Sequence, residues 1–124
     1  MNTIFLVEDS RSQRQLMKTL LMAERFTVHT ATNGLEAIEK IQRCDPDVVI
    51  LDIVMPQLNG YETCRRLKKN PRTQNIPVIF CSSQNGQSDI YWGLKQGAAA
   101  YITKPFRPKE LAHVIYGVLN GVRC

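Results

Sequence analysis

The chain has 124 residues, a mass of 14.1 kDa and 44% hydrophobic residues, which suits one globular domain and leaves no room for a second. Its formal net charge is +5 and its pI is about 9.2. No stretch approaches the roughly 20 consecutive apolar residues of a membrane span, and the N-terminus lacks the charged and apolar regions of a signal peptide. We therefore expect a single cytoplasmic domain over residues 1–124, with no membrane insertion.

The first part of the chain alternates between strand and helix patterns. TIFLV at 3–7 is a short β-rich run, and Ser10 is placed as the N-cap of a helix over 11–24. FTVHTA at 26–31 is the second predicted strand, and Asn33-Gly34 is a turn into a helix over 35–44. The apolar residues at helical spacing are Leu16, Met17, Leu20 and Leu21 in the first helix, and Leu35, Ala37, Ile38 and Ile41 in the second.

The alternation continues to the end of the chain. DVVIL at 47–51, IPVIFC at 76–81 and AAAYIT at 98–103 are predicted strands. Helices are predicted over 60–69, around 89–96, and over 109–119 after Pro108. Five strands alternating with five helices predict an α/β domain with a parallel sheet covered on both faces. The continuously apolar segments VVIL and VIF are expected to be its central strands.

Polar and charged residues collect where the predicted strands end. Glu8 and Asp9 follow the first strand, Asp52 ends the third, Ser82 ends the fourth and Lys104 follows the fifth. Open parallel sheets place their binding crevice at the carboxyl ends of the strands. If the first and third strands are neighbours, three carboxylates converge there and repel one another unless a cation is present.

The residue types at this edge indicate which ligands it can hold. Oxygen-only ligands suit a hard divalent ion such as Mg²⁺. Lys104 supplies a positive charge for a phosphoryl oxygen or a carboxylate, and Ser82 supplies a hydroxyl. Because Pro105 follows Lys104, the bond between them is a candidate cis peptide.

Together these motifs resemble a response-regulator receiver domain of the single-domain type used in chemotaxis and twitching motility. The resemblance covers essentially the whole chain, in order and spacing. It is carried by Glu8-Asp9, by DIVMPQLNG from Asp52, by VIFCSS with Ser82, by Tyr101, and by TKPF with Lys104. It implies a flavodoxin-like doubly wound (βα)₅ fold with strand order 2-1-3-4-5.

The resemblance also implies a role for each matching residue. Asp52 would accept a phosphoryl group from a histidine kinase or phosphotransfer domain. The implied Mg²⁺ ligands are Glu8, Asp9, Asp52 and the backbone carbonyl of Val54. Lys104 and Ser82 would contact the phosphoryl oxygens, while Ser82 and Tyr101 would form the switch. A face made by the fourth helix, the fifth strand and the fifth helix would then bind a downstream protein.

The chain departs from the commonest family pattern near the site. Glu8 stands where many members have Asp, and Ser82-Ser83 stands where Thr-Ala is frequent. These substitutions keep the chemistry. Val54 and Gln84 occupy the positions that tune phosphoryl lifetime in the family, so that lifetime stays open.

Several alternatives accompany this interpretation. A phosphatase of the haloacid dehalogenase type needs a second acid two residues after its nucleophile, where this chain has Val54. A pseudo-receiver that binds a partner without phosphoryl chemistry, or a receiver fragment of a larger regulator, also stays open. We expect no enzyme activity beyond self-catalysed phosphorylation and dephosphorylation of Asp52. Because the chain ends after the fifth predicted helix, we expect a regulator without an output domain.

Two further features favour ordinary structural roles. The basic residues lie on predicted helices without interleaved aromatic residues, which disfavours a nucleic-acid partner. The four cysteines are widely spaced and read as reduced thiols: Cys44, Cys64, Cys81 and Cys124. His29 and His113 have no matching partners, whereas Tyr91 and Trp92 are candidates for packing or for a partner-binding face.

Overall fold

A computed structural model of the protein describes residues 2–121 and contains five strands and five helices in strict alternation within them. The strands are β1 (Thr3–Val7), β2 (Thr27–Ala31), β3 (Val48–Leu51), β4 (Val78–Ser82) and β5 (Ala100–Thr103). The helices are α1 (Arg11–Ala23), α2 (Gly34–Cys44), α3 (Gly60–Lys69), α4 (Gln87–Lys95) and α5 (Pro108–Leu119). Cys124 lies outside the described residues.

All neighbouring strands run parallel, in the order β2-β1-β3-β4-β5. This confirms the predicted flavodoxin-like arrangement. Every residue of β3 and β4 is buried, as expected for strands covered on both faces. Because β1 is flanked by β2 and β3, the carboxyl ends of β1 and β3 lie side by side.

Two hydrophobic cores lie on the two faces of the sheet. The core under α1 and α5 contains, among others, Met17, Leu21, Leu111 and Ile115. The core under α2 and α3 contains, among others, Ala37, Ile41, Cys64 and Leu67. Successive strand residues point to opposite faces, so β5 directs Ile102 into the first core and Tyr101 towards the second.

Side-chain caps fix where the helices begin. The Ser10 hydroxyl accepts a hydrogen bond from the Gln13 N–H, and the Asn33 side chain accepts one from the Glu36 N–H. Gly34 is the first residue of α2, where an added Cβ would lie 2.1 Å from the Thr63 hydroxyl oxygen. The missing side chain therefore lets α2 approach α3 closely.

The structure differs from the sequence predictions in some details. Leu16 and Leu35 are 61% and 47% exposed. Each lies beside the stripe of its helix that faces the core, and that stripe is narrower than the apolar pattern predicts. β4 begins at Val78 because Pro77 has no N–H for the strand ladder. β3 ends at Leu51 rather than at Asp52, although the Asp52 N–H still donates to the Val7 carbonyl.

The structure also bears on membrane association and the histidines. Among the helices within residues 2–121, none is both long enough and apolar enough to cross a bilayer. His29 and His113 are both exposed, on β2 and α5 respectively.

Candidate functional site

The ends of three strands deliver charged residues to one edge of the sheet. Glu8 and Asp9 follow β1, Asp52 follows β3, and Lys104 follows β5. Backbone hydrogen bonds hold three of these residues: Glu8 N–H to Ala31 O at 3.1 Å, Asp52 N–H to Val7 O at 3.2 Å and Lys104 N–H to Ser82 O at 2.8 Å. The strand ladders thus extend one residue further and fix where each side chain starts.

The Lys104 ammonium lies at the centre of the site. Its Nζ is 2.5 Å from Glu8 Oε1, 2.6 Å from Gln13 Oε1 and 3.2 Å from Asp52 Oδ2. Two acidic residues from different strands therefore share one cation. Glu8 is only 2% exposed, so its carboxylate depends on this pairing for compensation of its charge.

Burial and charge act in opposite directions on these groups. Burial raises the pKa of Glu8, and its hydrogen bonds from Lys104 and from the Ser10 N–H offset part of that effect. Burial by itself lowers the pKa of Lys104, but the Glu8 and Asp52 carboxylates outweigh it and hold that pKa above its usual value. The lysine therefore stays charged throughout the physiological range.

Three carboxylates are close enough to bind one metal ion. Glu8, Asp9 and Asp52 each offer an oxygen within 4.8 Å of the others, with Asp9 exposed. An all-oxygen set with an open side fits Mg²⁺, which retains several waters. Val54 lies two residues after Asp52. Its side chain is exposed and does not cover the loop at that point.

The Asp52 carboxylate is oriented by its own loop. The Ile53 N–H donates to Asp52 Oδ1 at 2.6 Å, which leaves Oδ2 on the side of Lys104. Gly60 packs against the same peptide, since an added Cβ would lie 2.2 Å from the Asp52 carbonyl oxygen. The sequence segment from Asp52 to Gly60 therefore closes into a tight loop under the carboxylate.

Ser82 and Tyr101 are linked through the backbone of Gln84. The fully buried Ser82 Oγ accepts a hydrogen bond from the Gln84 N–H at 3.2 Å. The Tyr101 hydroxyl donates to the Gln84 carbonyl at 2.5 Å. Burial raises the pKa of Tyr101 to about 12, so the phenol remains a donor at neutral pH. The sequence placed these two residues on adjacent strands, but the connecting peptide was not predicted.

Two residues of α1 were also missed by the sequence analysis. Gln13 contacts Lys104, and the Arg14 guanidinium donates to the Glu8 carbonyl at 2.9 Å and to the Asp9 carbonyl at 3.4 Å. Their position just after the Ser10 cap, on the turn that faces the strand ends, is the only sequence signal that could have indicated them.

The surroundings of the site include a groove and an aromatic surface. A cavity of about 610 Å³ between α1 and the segment after β5 is open to Asp52 and Lys104 and lined by apolar residues such as Met17 and Phe106. The Lys104–Pro105 peptide in this segment is cis. On α4, Tyr91 and Trp92 are 58% and 53% exposed and pack edge to face against each other.

The three cysteines within the described residues are reduced, as the sequence predicts. Cys44, Cys64 and Cys81 are free thiols. Burial raises the pKa of Cys64 to about 11 and that of Cys81 to about 12. Both thiols are therefore protonated at neutral pH and pack as small apolar groups.

Comparison with known proteins identifies relatives over the full length of the fold. The chain is 37% identical over 121 residues to protein PilH of Pseudomonas aeruginosa, covering 98% of this chain and 100% of PilH. It is 38% identical to protein PilG of the same organism, covering 90% of this chain and 83% of PilG. Other relatives are longer, and the chain spans 45% of one and 22% of another.

A solved structure has the same fold. The Vibrio cholerae chemotaxis protein CheY4 superposes with a TM-score of 0.90 at 29% identity, covering 95% of this chain and 98% of that one. Residues 4–116, from β1 into α5, match the response regulator receiver domain. The chain therefore belongs to the receiver-domain family of two-component response regulators, whose members are signalling modules that generally bind Mg²⁺ at an acidic pocket and interact with histidine kinases and downstream targets.

Proposed function

We propose that the protein is a phosphorylation-dependent switch that takes a phosphoryl group from a histidine kinase or phosphotransfer domain onto Asp52. The observation that supports this most strongly is the pairing of Asp52 Oδ2 with the Lys104 ammonium at 3.2 Å, in a site open to a cavity. The carboxylate is positioned by its own loop and faces a charged donor suited to phosphoryl oxygens.

The transfer is a displacement at phosphorus. A carboxylate oxygen of Asp52 forms the new P–O bond while the bond from phosphorus to the donor's imidazole nitrogen breaks, and the electron pair leaves with that nitrogen. Lys104 then contacts a phosphoryl oxygen. The phosphoryl group is later removed by hydrolysis. Water attacks phosphorus and the Asp52 carboxylate leaves, so dephosphorylation needs no second protein.

The acidic residues would hold the metal that this chemistry needs. Glu8, Asp9, Asp52 and the Val54 carbonyl would bind Mg²⁺, which offsets the negative charge of the carboxylates and the phosphoryl group when bound. Both Glu8 oxygens accept hydrogen bonds, from Lys104 and from the Ser10 N–H. Glu8 therefore suits binding through water, while the exposed Asp9 suits direct binding.

The switch would use the link from Ser82 to Tyr101. A phosphoryl group that draws the Ser82 hydroxyl towards Asp52 competes with its hydrogen bond from the Gln84 N–H. Movement of Gln84 would release the Tyr101 hydroxyl, whose ring lies against Gly93 of α4. The surface formed by α4, β5 and α5, with Trp92 exposed on it, would then present a different shape to a downstream protein.

The process that such a switch controls is a cytoplasmic taxis or motility response. The support is the likeness to CheY4, a chemotaxis protein by name, together with the motif resemblance described above. A basic surface without interleaved aromatic residues gives no support to nucleic-acid binding.

Intact mass spectrometry tests this proposal. Incubation with Mg²⁺ and acetyl phosphate should add one phosphoryl group to the wild type, and chelation of Mg²⁺ should abolish the gain. Asp52→Asn should show no gain because the amide lacks the attacking carboxylate, whereas Asp9→Ala should stay folded but need more Mg²⁺. An undiminished gain in Asp52→Asn would place the chemistry elsewhere, and no gain in the wild type would leave a pseudo-receiver.

A further inference from the structure

Gln13 occupies the third acceptor position around the Lys104 ammonium. A lysine ammonium has three N–H donors, and the structure provides three acceptors: Glu8 Oε1, Gln13 Oε1 and Asp52 Oδ2. The contact joins residues 91 positions apart, so it depends on the tertiary fold rather than on local sequence. Every donor of Lys104 is thus engaged in the unphosphorylated site.

A phosphoryl oxygen that approaches Lys104 must replace one of these three acceptors. Glu8 is a buried carboxylate, and giving up its hydrogen bond from the Lys104 ammonium would lose a charge-assisted contact. Asp52 is the residue that becomes modified and stays beside the new group. Gln13 is neutral and exposed, so water can replace Lys104 as its partner at small cost. Gln13 is therefore the acceptor that is released most easily.

The position of Gln13 is fixed by the start of α1. The Ser10 hydroxyl accepts from the Gln13 N–H at 3.4 Å, and Arg14 holds the backbone of the preceding loop through the Glu8 carbonyl. The Gln13 side chain lies where the cavity of about 610 Å³ meets Asp52 and Lys104. It thus lines the cavity beside the two groups that a phosphoryl donor has to reach.

We propose that Gln13 is a positioning residue that holds Lys104 in the unphosphorylated site and competes with the phosphoryl group for it. This inference rests on the proposed phosphoryl transfer to Asp52 and adds the residue that sets how readily Lys104 is released. Loss of the Gln13 amide should therefore strengthen the binding of a phosphoryl mimic, although it removes a contact.

The test is a titration with beryllofluoride, a mimic of the aspartyl phosphate, at saturating Mg²⁺. Gln13→Met keeps the length of the side chain without the acceptor, and its Kd should fall about three- to tenfold. Gln13→Glu places a charged acceptor there, which holds Lys104 more firmly and repels the anion, so its Kd should rise. The control is Gln15→Met on the exposed side of the same helix, with an unchanged Kd.

A second readout requires no phosphoryl mimic. In ¹⁵N-labelled protein with Mg²⁺ alone, a held Lys104 ammonium exchanges its protons slowly and gives an NMR signal, which should broaden in Gln13→Met but persist in Gln15→Met. An unchanged signal overturns the holding role.

The outcomes separate this inference from the function on which it rests. An equal or weaker affinity in Gln13→Met, in a wild type that binds beryllofluoride through Asp52, overturns the competition alone. A Gln15→Met effect of the same size also overturns it, because the cause would be the helix as a whole. If neither wild type nor variants bind beryllofluoride, the proposed phosphoryl transfer fails and the competition fails with it.

Discussion

The two helices that flank β5 are attached to the sheet in very different ways. Helix α5 buries four residues in the core: Leu111, Ala112, Ile115 and Val118. Helix α4 buries only Gly93 among its residues, and its aromatic pair Tyr91 and Trp92 is exposed. The same strand contacts both helices, with Ile102 on the α5 side and Tyr101 on the α4 side.

This difference makes α4 the less firmly packed of the two helices. Displacing α5 would expose several apolar side chains, each contributing about 1.5–3 kcal/mol when fully buried. Displacing α4 would break the close Gly93–Tyr101 contact and the hydrogen bond from the Tyr61 hydroxyl to the Asp89 carbonyl, but only one of its own residues is buried. We therefore expect a change of state that costs only a few kcal/mol to displace α4 more readily than α5.

The largest expected effect comes from truncating one apolar residue in each helix. Ile115→Ala in α5 should lower the free energy of unfolding by about 2–5 kcal/mol, because the side chain is fully buried. Leu94→Ala in α4 should lower it by about 1 kcal/mol or less, because Leu94 is 37% exposed. Urea unfolding followed by circular dichroism measures both losses of unfolding free energy. Similar losses in the two variants would refute the difference in packing between α4 and α5.

A smaller effect should come from filling the contact that lets α4 approach β5. In Gly93→Ala the added Cβ would lie 2.8 Å from Tyr101 Cδ2, so the ring or the helix must move. Overpacking of about 1–3 kcal/mol then outweighs the roughly 1 kcal/mol gained in helix propensity, giving a net loss of about 1 kcal/mol. Urea unfolding measures this loss.

The control for that prediction is a double-mutant cycle. In a Tyr101→Ala background the ring is absent and only the approach to Phe80 Cδ2 at 3.2 Å remains, so Gly93→Ala should cost less or become stabilising. A loss of the same size in both backgrounds would show that Tyr101 is not what limits the approach of α4.

A further effect, confined to alkaline pH, concerns the pH dependence of the Tyr101 hydrogen bond. Burial raises the pKa of this phenol to about 12, above the value near 10 expected in the unfolded chain. Its contribution to stability is therefore fully present below about pH 10 and is lost as the pH rises through 12. Tyr101→Phe should flatten this part of the stability curve, measured as urea midpoints between about pH 9 and 12. Parallel curves for wild type and variant would contradict the assigned shift.

Much of the fold could be predicted because its signals are local. Apolar periodicity and turn residues such as Asn33-Gly34 mark where elements begin and end. The rule that parallel strands share an edge then brings Glu8, Asp52 and Lys104 together, as the structure shows. Strand order came from the family resemblance, since the residues themselves did not determine it.

The rest of the site could not be predicted because it depends on tertiary neighbours. Periodicity alone does not show that Leu16 lies beside the buried stripe rather than within it. The partner of Gln13 lies at the far end of the chain, and a glutamine on an exposed helix turn is usually solvated. The acceptors that a lysine contacts are determined by the tertiary structure, which brings them together.

Gln84 contributes to the connection from Ser82 to Tyr101 through main-chain atoms, its N–H on one side and its carbonyl on the other. Any residue supplies a carbonyl, and every residue except proline supplies an N–H. The side chain at position 84 can therefore be exchanged without removing these two hydrogen bonds. A substitution there, other than by proline, would thus leave both hydrogen bonds available.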